Sequence, residues 1–430
     1  MKEKSIWLDN IEMPKFCKLN ENIKTKVLVI GGGIAGILCA YEMKKRNIEC
    51  VLVEAEKIGK GITKNTTAFI TAQHELLYQD IIKDLGIAKA KFYLELNLKA
   101  VKRYKELGQK YDIDFKEVPS VLYSKTSKEK ILKEKEALDS LGYKTELIDK
   151  LPIDLEIEKG IKFLNQGVIH PLKLIKELSK ELNIYEDTMI VKLKGNVACT
   201  KENSITFNKV IITTHYPFVN STGMYYMKMS QRRSYVVCGK HKNIDGTYCS
   251  IDNNGLYFRS YKDYLIIGGN DRDTKEKCLN IFSEEIKKDF PYFEIEYKWS
   301  NQDCVTIDEV PYIGKYDIFH KNWYVATGYN LWGFTWSMVA SFVIADMIEG
   351  REGYRLVDPN RFFIHKQLFT NLSTTLKFLL NFKTPRCSHL GCALKWNRVE
   401  KTWECPCHGS RYDSKGNLID GPAMKNINVD

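Results

Sequence analysis

A glycine-rich turn between a strand and a helix constrains this fold most. Residues 26–30 (KVLVI) form a short apolar run rich in β-branched side chains, and Gly31, Gly33 and Gly36 follow at the spacing G-x-G-x-x-G. A helical pattern comes next, and residues 50–53 (CVLV) predict a second strand. The segment therefore predicts a βαβ unit. Its first glycine permits a tight turn, the second admits a pyrophosphate, and the third lets the helix pack closely.

Glu54 follows the second strand directly, 23 residues after Gly31. An acid at this position accepts hydrogen bonds from both ribose hydroxyls, and its charge disfavours a 2'-phosphate. The sequence thus predicts a dinucleotide at the positive end of the helix, with NADP the least favoured occupant. The alternative is a purely structural turn followed by an exposed glutamate.

The composition suits a large globular protein. The 430 residues are 44% apolar and 12% aromatic, which allows about two or three domains with a substantial core. The chain has no run of roughly eighteen uncharged apolar residues, so no membrane-spanning helix is expected. The first residues lack the apolar core of a signal peptide, and we therefore predict a cytoplasmic protein.

The net charge of +11 does not by itself indicate a nucleic-acid partner. Basic residues alternate with acidic ones, as in residues 127–136 (SKEKILKEKE), which is typical of a solvated helix face. Because no aromatic-basic motif accompanies them, no nucleic acid is expected, although a weak preference for anionic partners stays open.

The twelve cysteines are distributed unevenly. Eight are scattered over the first 304 residues and are interpreted as buried small hydrophobes, whereas four lie between residues 387 and 407. The composition changes at Pro385, and residues 371–384 have the pattern of an amphipathic linker. We therefore predict a body over residues 1–370, this linker, and a small domain over residues 385–430.

Hydrophobic periods of 2 and 3.6 alternate along the body, which predicts a mixed α/β fold. Helical patterns dominate residues 76–107 and 128–141, and an apolar helix is expected over residues 334–349. Strand-like segments occur around residues 187–193 and 210–214.

Three segments of the body resemble the D-amino-acid/glycine oxidase-like family of FAD-dependent oxidoreductases. They are the first glycine unit, residues 59–74 (GKGITKNTTAFITAQH), and residues 308–314 (DEVPYIG) together with 326–335 (ATGYNLWGFT). The resemblance covers roughly residues 24–355 and implies a Rossmann-like FAD-binding domain with an antiparallel-sheet substrate domain. The implied FAD-binding parts are about 24–80, 145–215 and 300–355, and the substrate parts are about 81–144 and 216–299.

The same resemblance implies which residues contact the cofactor. The segment after the acidic residue runs over the pyrophosphate and flavin, and the late glycine turn leads into a helix facing the flavin pyrimidine edge. A helix dipole there stabilises the negative charge of a reduced flavin. The residues implied beyond the first turn are Thr63, Lys64, Thr66, Ile190, Gly328, Gly333 and Thr335.

For the substrate, the resemblance suggests an arginine that binds a carboxylate, and Arg259 in residues 256–260 (LYFRS) matches that position loosely. The alternative for Arg259 is a surface cation on a strand. His74 is more consistent with packing or hydrogen bonding than with acid/base catalysis, since a flavin can accept a hydride without a strong protein base.

The C-terminal cysteines and histidines form two half-sites. Cys387-x-His389 and Cys405-x-x-His408 are separated by residues 390–404 and resemble the Rieske [2Fe-2S] motif. The resemblance implies that the two cysteines bind one iron and the two histidines the other, which raises the reduction potential. The alternatives are a zinc site with the same four ligands and a redox-inert pair of disulfides.

Neighbouring residues extend this resemblance. Residues 421–423 (GPA) resemble the proline loop that covers the cluster, and Cys392 and Cys407 are implied to form a disulfide between the two cluster loops. Ser410 and Tyr412 are implied to donate hydrogen bonds to sulfur, which raises the potential further.

The C-terminal domain departs from the Rieske pattern in one respect. Pro385 precedes the first ligand almost directly, so the strands that usually flank both sides of the cluster loops are not expected. Forty-six residues (385 to 430) make a marginal core. We therefore expect this domain to depend on the cluster, the disulfide and docking against the body.

Together these features predict a FAD- and [2Fe-2S]-containing oxidoreductase that oxidises an amine or amino-acid-like small molecule. Electrons would pass between FAD and the cluster. Because the cluster carries one electron at a time, an external electron donor or acceptor would complete the reaction. The alternative is a redox-sensing or electron-transfer flavoprotein without amine turnover.

Overall fold

A computed structural model describes residues 1–219, 222–269, 279–361, 366–381 and 383–429. Within these ranges the body contains two sheets and the C-terminal part contains a third. In chain order, the strands are β1 (Ile23–Ile30), β2 (Cys50–Val53), β3 (Phe69–Ile70), β4 (Lys116–Ser124), β5 (Glu146–Ile148), β6 (Lys159–Val168), β7 (Ile184–Tyr185), β8 (Lys192–Lys194), β9 (Val197–Cys199), β10 (Ser204–Ile212), β11 (Met229–Lys240), β12 (Thr247–Ser250), β13 (Tyr257–Tyr261), β14 (Tyr264–Gly269), β15 (Ile295–Thr306), β16 (Tyr312–Lys315), β17 (Trp323–Thr327), β18 (Lys395–Asn397), β19 (Thr402–Glu404), β20 (Arg411–Tyr412) and β21 (Leu418–Asp420).

The same ranges contain α-helices of very different lengths. In chain order, they are α1 (Ile34–Lys45), α2 (Leu77–Leu85), α3 (Ile87–Lys110), α4 (Lys128–Ser140), α5 (Pro171–Ser179), α6 (Tyr225–Lys228), α7 (Leu279–Asp289), α8 (Gly333–Ile348) and α9 (Lys366–Leu379). Short 3-10 helices cover Ile6–Leu8, Ile62–Asn65 and Arg355–Val357.

The first sheet contains the predicted βαβ unit. Its strand order is β16-β17-β10-β1-β2-β7, and β8 and β9 continue it beside β10. Neighbours from β17 to β7 are parallel, whereas β16 runs antiparallel to β17. The end of β1 is buried on both faces, which explains its continuous apolar run. Helices α1 and α8 pack against each other, and α3 packs against α8.

The second sheet has the order β15-β11-β14-β13-β12-β4-β6-β3, with β5 beside β6. Its pairs are antiparallel except for β12 with β4. The predicted α/β fold class, with a second, largely antiparallel sheet, is confirmed.

The two sheets divide the body differently from the expected scheme. Strands β6 and β15 lie mainly in segments expected to bind FAD, yet both belong to the second sheet. Helix α3 lies in an expected substrate part, yet it packs on α8 of the first layer. Many strands that pair in one sheet are distant in sequence, so the chain crosses between the two layers. Hydrophobic periodicity does not indicate which strands pair.

Two shorter segments also differ from expectation. The strand expected around residues 187–193 is mostly a loop, and β8 begins only at Lys192. Helix α9 runs across the expected boundary between residues 370 and 371, so the amphipathic linker is largely helical. Its Phe378 joins the small core of the C-terminal part.

The scattered cysteines are not uniformly buried. Cys39, Cys238, Cys249 and Cys304 are buried as expected, but Cys17 is exposed. Cys50 and Cys199 are half-buried, and Cys278 lies outside the described residues. The interpretation of all eight as core thiols is therefore wrong for Cys17.

The C-terminal part forms a four-stranded antiparallel sheet in the order β18-β19-β20-β21, which confirms the predicted small β-rich unit. Across the described ranges, none of the helices combines the length and apolarity needed to cross a bilayer.

Candidate functional site

The glycine turn brings the start of α1 against the end of β1. Gly31 has φ of +114°, and its N–H donates to the Val53 carbonyl at 2.9 Å. A Cβ on Gly36 would lie 1.8 Å from the Gly31 carbonyl oxygen, so this position has no room for a side chain. Gly33 precedes α1 without a side-chain cap, which leaves space for an anion at the helix N-terminus.

Glu54 lies at the carboxyl end of β2, as the sequence predicted. Its carboxylate accepts the N–H of Gly32 at 2.6 Å and the N–H of Glu56 at 2.9 Å. Burial raises the pKa of this carboxyl group, and the two N–H donors oppose that shift. The side chain therefore braces the turn, and it also lines the adjacent cavity.

A cavity of about 700 Å³ extends from this turn across the body. Seven of the predicted cofactor residues line it: Gly31, Gly33, Glu54, Thr63, Thr66, Ile190 and Gly333. The Thr63 hydroxyl also accepts the N–H of Ile34 at 3.1 Å, which ties the segment after β2 to the helix start. The size suits an elongated cofactor with a small substrate.

Four predicted cofactor residues lie behind the cavity wall. Gly36 supports the turn, and Gly328 has φ of +69° at the end of β17. The Thr335 hydroxyl lies 3.2 Å from Nε2 of His74. Lys64 is half-buried, which lowers the pKa of its ammonium group, and it does not line the cavity.

The far end of the cavity is closed by the C-terminal part. Residues 420–424, which include the expected proline loop (residues 421–423), line the same space as the glycine turn. Leu418 and the body residues His215, Tyr216, Ser234 and Asn301 line it as well. One cavity therefore runs from the glycine turn to the segment predicted to cover the cluster.

The four residues of the two C-terminal half-sites lie on two loops that come close together. The rings of His389 and His408 are 5.1 Å apart, and Cys387 and Cys405 are both buried. Both ring nitrogens of His408 are buried without a hydrogen-bond partner in the described part of the chain. Because unpaired buried nitrogens are costly, this arrangement fits metal ligation.

Hydroxyl groups surround the Cys387 sulfur. The Tyr412 hydroxyl accepts the N–H of Ser388 at 3.1 Å, and its own proton has two acceptors within reach, this Sγ at 3.4 Å and the Ser388 Oγ at 3.2 Å. The Ser410 hydroxyl also interacts with Cys387 and accepts the N–H of Ala423 at 3.0 Å.

The sulfur atoms of Cys392, Cys405 and Cys407 lie within 4.8 Å of one another. Cys392 and Cys407 are present as thiols in this structure. Their proximity brings the two loops together, and the disulfide between them stays a prediction.

Known proteins share these features. The family model for FAD dependent oxidoreductases (DAO) matches residues 26–347, and the model for the Rieske [2Fe-2S] domain matches residues 383–429. YhfW of Bacillus subtilis, named as a Rieske 2Fe-2S iron-sulfur protein, is 31% identical, and the alignment covers 97% of this chain and 96% of YhfW.

The chain belongs to the DAO family of FAD-dependent oxidoreductases. It binds FAD in the body and a [2Fe-2S] cluster in a C-terminal Rieske domain.

Two further proteins are similar to this chain. The gamma-glutamylputrescine oxidoreductase of Escherichia coli is 24% identical over 78% of this chain and 86% of its own length. Glycine oxidase from Bacillus cereus has the same fold, with a TM-score of 0.63 and 18% identity over 79% of this chain and 100% of its own.

Arg259 has a different position from the one expected in the FAD-dependent oxidoreductase. It is buried, its guanidinium donates to the carbonyls of Ala68 at 2.9 Å and Ile169 at 3.2 Å, and it lies over the Trp7 ring. It does not line the FAD cavity. The predicted substrate-carboxylate role is therefore wrong for this geometry, and so is the alternative of a surface cation. Arg259 instead joins β13 to the residue before β3 and to the residue after β6.

His74 has the packing role that the sequence favoured. Its Nδ1 lies 2.6 Å from the Tyr93 hydroxyl, and its ring stacks on Trp332 at a centroid distance of 4.8 Å. Burial lowers the pKa of His74 to about 3, so the ring stays neutral near pH 7. His74 supports Trp332, which lines the FAD cavity.

Sequence reasoning missed the residues through which the Rieske domain docks on the body. The Gln302 amide donates to the Gly409 carbonyl at 2.8 Å, beside the predicted ligand His408. The rings of Tyr216 and Tyr226 contact His389 and His408 edge-on, with centroids 5.6 and 5.9 Å apart. None of these body residues belongs to a recognisable motif, so the sequence contains no local signal for them.

Proposed function

We propose that this protein oxidises an amine or amino-acid-like substrate and passes the electrons between FAD and the Rieske cluster. Gly31, Gly33, Glu54 and Thr63 would hold the dinucleotide, and the four half-site residues would hold the cluster. Bound FAD supplies two-electron chemistry, and the cluster supplies one-electron chemistry.

The shared cavity carries this proposal. Its wall includes Gly31 and Gly33 at one end and residues 420–424 of the Rieske domain at the other. A cofactor bound along the glycine turn would therefore extend toward the proline loop. This closeness of the FAD cavity to the segment expected to cover the cluster supports electron exchange within the chain.

The orientation of the Rieske domain supports the same conclusion. The two predicted histidine ligands face tyrosine rings of the body, and His408 is only 1% exposed. In this orientation the histidine edge of the cluster meets the body, whereas a cluster that exchanged electrons only with other proteins would have no need of that contact.

The relatives favour an amine-type substrate. One of them is named for gamma-glutamylputrescine and one for glycine, and both names describe molecules with an amino group. Both molecules also carry a carboxylate, so the substrate panel for this chain compares amines with and without that group.

Anaerobic titration of the holoenzyme with amino acids and N-methylated amines tests the proposal. We expect a productive substrate to bleach the flavin absorbance and then to produce the electron paramagnetic resonance (EPR) signal of a reduced Rieske cluster. A substrate that bleaches the flavin while the cluster stays oxidised, over minutes, contradicts electron exchange between them.

The redox-sensing alternative makes a different prediction. In that case no member of the panel bleaches either chromophore, although dithionite reduces both and air restores them. The same cavity and docking contacts are compatible with this alternative, so turnover decides between the two.

A further inference from the structure

Tyr216 lies between the two cofactor sites. It follows β10, it is 4% exposed, and it belongs to the wall of the FAD cavity. Its ring contacts the ring of His389 edge-on, at a centroid distance of 5.6 Å and an interplanar angle of 84°. One aromatic side chain thus contacts both the FAD cavity and a predicted iron ligand.

No hydrogen bond accounts for this placement. The Tyr216 hydroxyl is buried and has no hydrogen-bond partner in the described ranges, although an unpaired buried hydroxyl costs roughly 1–3 kcal/mol. The ring, rather than the hydroxyl, makes the contact with His389. A phenylalanine at this position would therefore keep the observed contact.

Tyr226 provides an internal comparison. Its ring contacts His408, the other predicted histidine ligand, at a centroid distance of 5.9 Å and an angle of 89°. Tyr226 does not line the cavity. The two tyrosines therefore make similar contacts with the cluster site, but only Tyr216 of this pair also borders the FAD site.

We propose that the Tyr216 ring is the conduit for electrons between FAD and the Rieske cluster. Electron tunnelling weakens steeply with distance, and it weakens less through atoms in van der Waals contact than across a gap. Tyr216 borders the FAD cavity and its ring lies edge-on against the His389 ring, so a route through it replaces an open gap with packed atoms.

This inference rests on the proposed exchange of electrons between FAD and the cluster. Reduced FAD would give up its two electrons in two successive transfers, and in each of them one ferric iron of the cluster would become ferrous. An external one-electron acceptor protein would reoxidise the cluster after the first transfer, so that the second electron can follow. The one proton carried by an anionic reduced flavin would leave to solvent.

Flash photoreduction of the FAD in the anaerobic holoenzyme tests the conduit, with cluster reduction followed by absorbance. We expect Tyr216→Leu to slow flavin-to-cluster transfer by about tenfold or more, equivalent to about 1.4 kcal/mol of barrier. Tyr216→Phe keeps the ring, and we expect it to transfer at close to the wild-type rate. Tyr226→Leu is the matched comparison: it removes a ring that contacts His408 but does not border the cavity, and we expect it to slow transfer less than Tyr216→Leu does.

Three measurements separate a lost conduit from a disturbed site: the FAD content, the EPR spectrum of the reduced cluster, and the two midpoint potentials. We expect all three to be unchanged in Tyr216→Leu. If that variant fails to retain the cluster, Tyr216→Met, whose side chain fills more of the volume without a π system, is expected to show the slow transfer.

Two outcomes would overturn the proposal that Tyr216 is the conduit. One is wild-type transfer in a Tyr216→Leu or Tyr216→Met protein with native spectra and potentials. The other is an equal slowing by Tyr226→Leu, which would indicate a general disturbance of the interface. If the wild-type protein itself shows no transfer, the proposed function fails instead, so the two failures are distinguishable.

Discussion

The guanidinium of Arg233, on β11 of the body, lies 2.9 Å from the carboxylate of Glu400 in the Rieske domain. It also lies 3.0 Å from Glu404, which directly precedes the predicted ligand Cys405. The Arg233 and Glu400 side chains are only 7% and 11% exposed. The ion pair therefore crosses the domain junction in a largely desolvated environment.

We expect Arg233→Gln to weaken the docking of the Rieske domain by about 1.5–3 kcal/mol, because it removes the charged hydrogen bonds that cross the junction, while Arg411 still pairs with both carboxylates. Limited proteolysis of the holoenzyme and its iron content measure the effect. Lys240→Gln is the control. Lys240 lies on the same strand as Arg233, but its ion pair with Asp263 is exposed, so the loss of this pair is expected to cost at most about 1 kcal/mol. Equal protease resistance in Arg233→Gln and wild type would contradict the prediction.

Gly36→Ala is expected to abolish FAD retention. The added Cβ would lie 1.8 Å from the Gly31 carbonyl oxygen, so α1 must move away from the turn. The ratio of flavin absorbance to protein after purification measures the loss. Gly142→Ala, at a turn glycine with φ of +77° and open space around it, controls for backbone strain at a position that does not line the FAD cavity. Full flavin content in Gly36→Ala would show that close packing at this turn is dispensable.

Tyr412→Phe is expected to lower the midpoint potential of the cluster. The hydroxyl lies 3.4 Å from the Cys387 sulfur, and a hydrogen bond to sulfur favours the reduced state by withdrawing electron density. Loss of a bond worth about 1.4 kcal/mol corresponds to a fall of about 60 mV for one electron. A spectroelectrochemical titration measures the cluster and the flavin together, and the flavin potential is the internal control. An unchanged cluster potential contradicts the predicted role of Tyr412.

Cys392 and Cys407 are predicted to form a disulfide in the cluster-loaded protein. Alkylation under non-reducing conditions, followed by mass spectrometry, is expected to leave both cysteines unmodified and linked. Cys407→Ser is then expected to lose iron faster than wild type during incubation with a chelator, because the two loops are no longer joined. Alkylation of both thiols in protein with a full complement of iron would contradict the pairing.

The burial of His74 predicts a pH dependence of stability. The pKa of the folded protein is lowered to about 3, below the value of about 6.5 in an unfolded chain, so only the unfolded state binds this proton between those values. The contribution of His74 to the free energy of unfolding is complete above pH 6.5 and is lost as the pH falls. Its loss amounts to about 1.4 kcal/mol per pH unit.

Denaturant unfolding of wild type and His74→Gln at several pH values between 5 and 8 measures this effect. We expect the difference in unfolding free energy between the two proteins to shrink below pH 6.5 and to be constant above pH 7. A difference that is independent of pH over the whole range would mean that His74 has the same pKa in the folded and unfolded protein.

Local motifs account for the parts of the site that the sequence predicted. Gly31, Gly33 and Gly36 act within one turn, and Cys387 and His389 lie within one loop. Spacing along the chain determines such geometry directly, because few conformations connect residues that are so close in sequence. The family assignment rests on the same segments.

The wrong prediction for Arg259 has the opposite cause. Its partners, the carbonyls of Ala68 and Ile169, lie 191 and 90 positions away, on segments that the second sheet brings beside β13. A strand pattern indicates that a residue alternates between two faces, but not what covers each face. The burial of this cation therefore could not be read from its local sequence.

By itself, the sequence determined the βαβ unit, the two half-sites and the α/β class, since each depends on short spacings or local periodicity. Only the tertiary structure decided that a single cavity joins the glycine turn to the proline loop, and that Arg233 and Tyr216 of the body contact the Rieske domain. Those contacts join residues more than 160 positions apart. Their pairing follows from the packing of whole sheets, because that packing selects among partners that the local sequence leaves open.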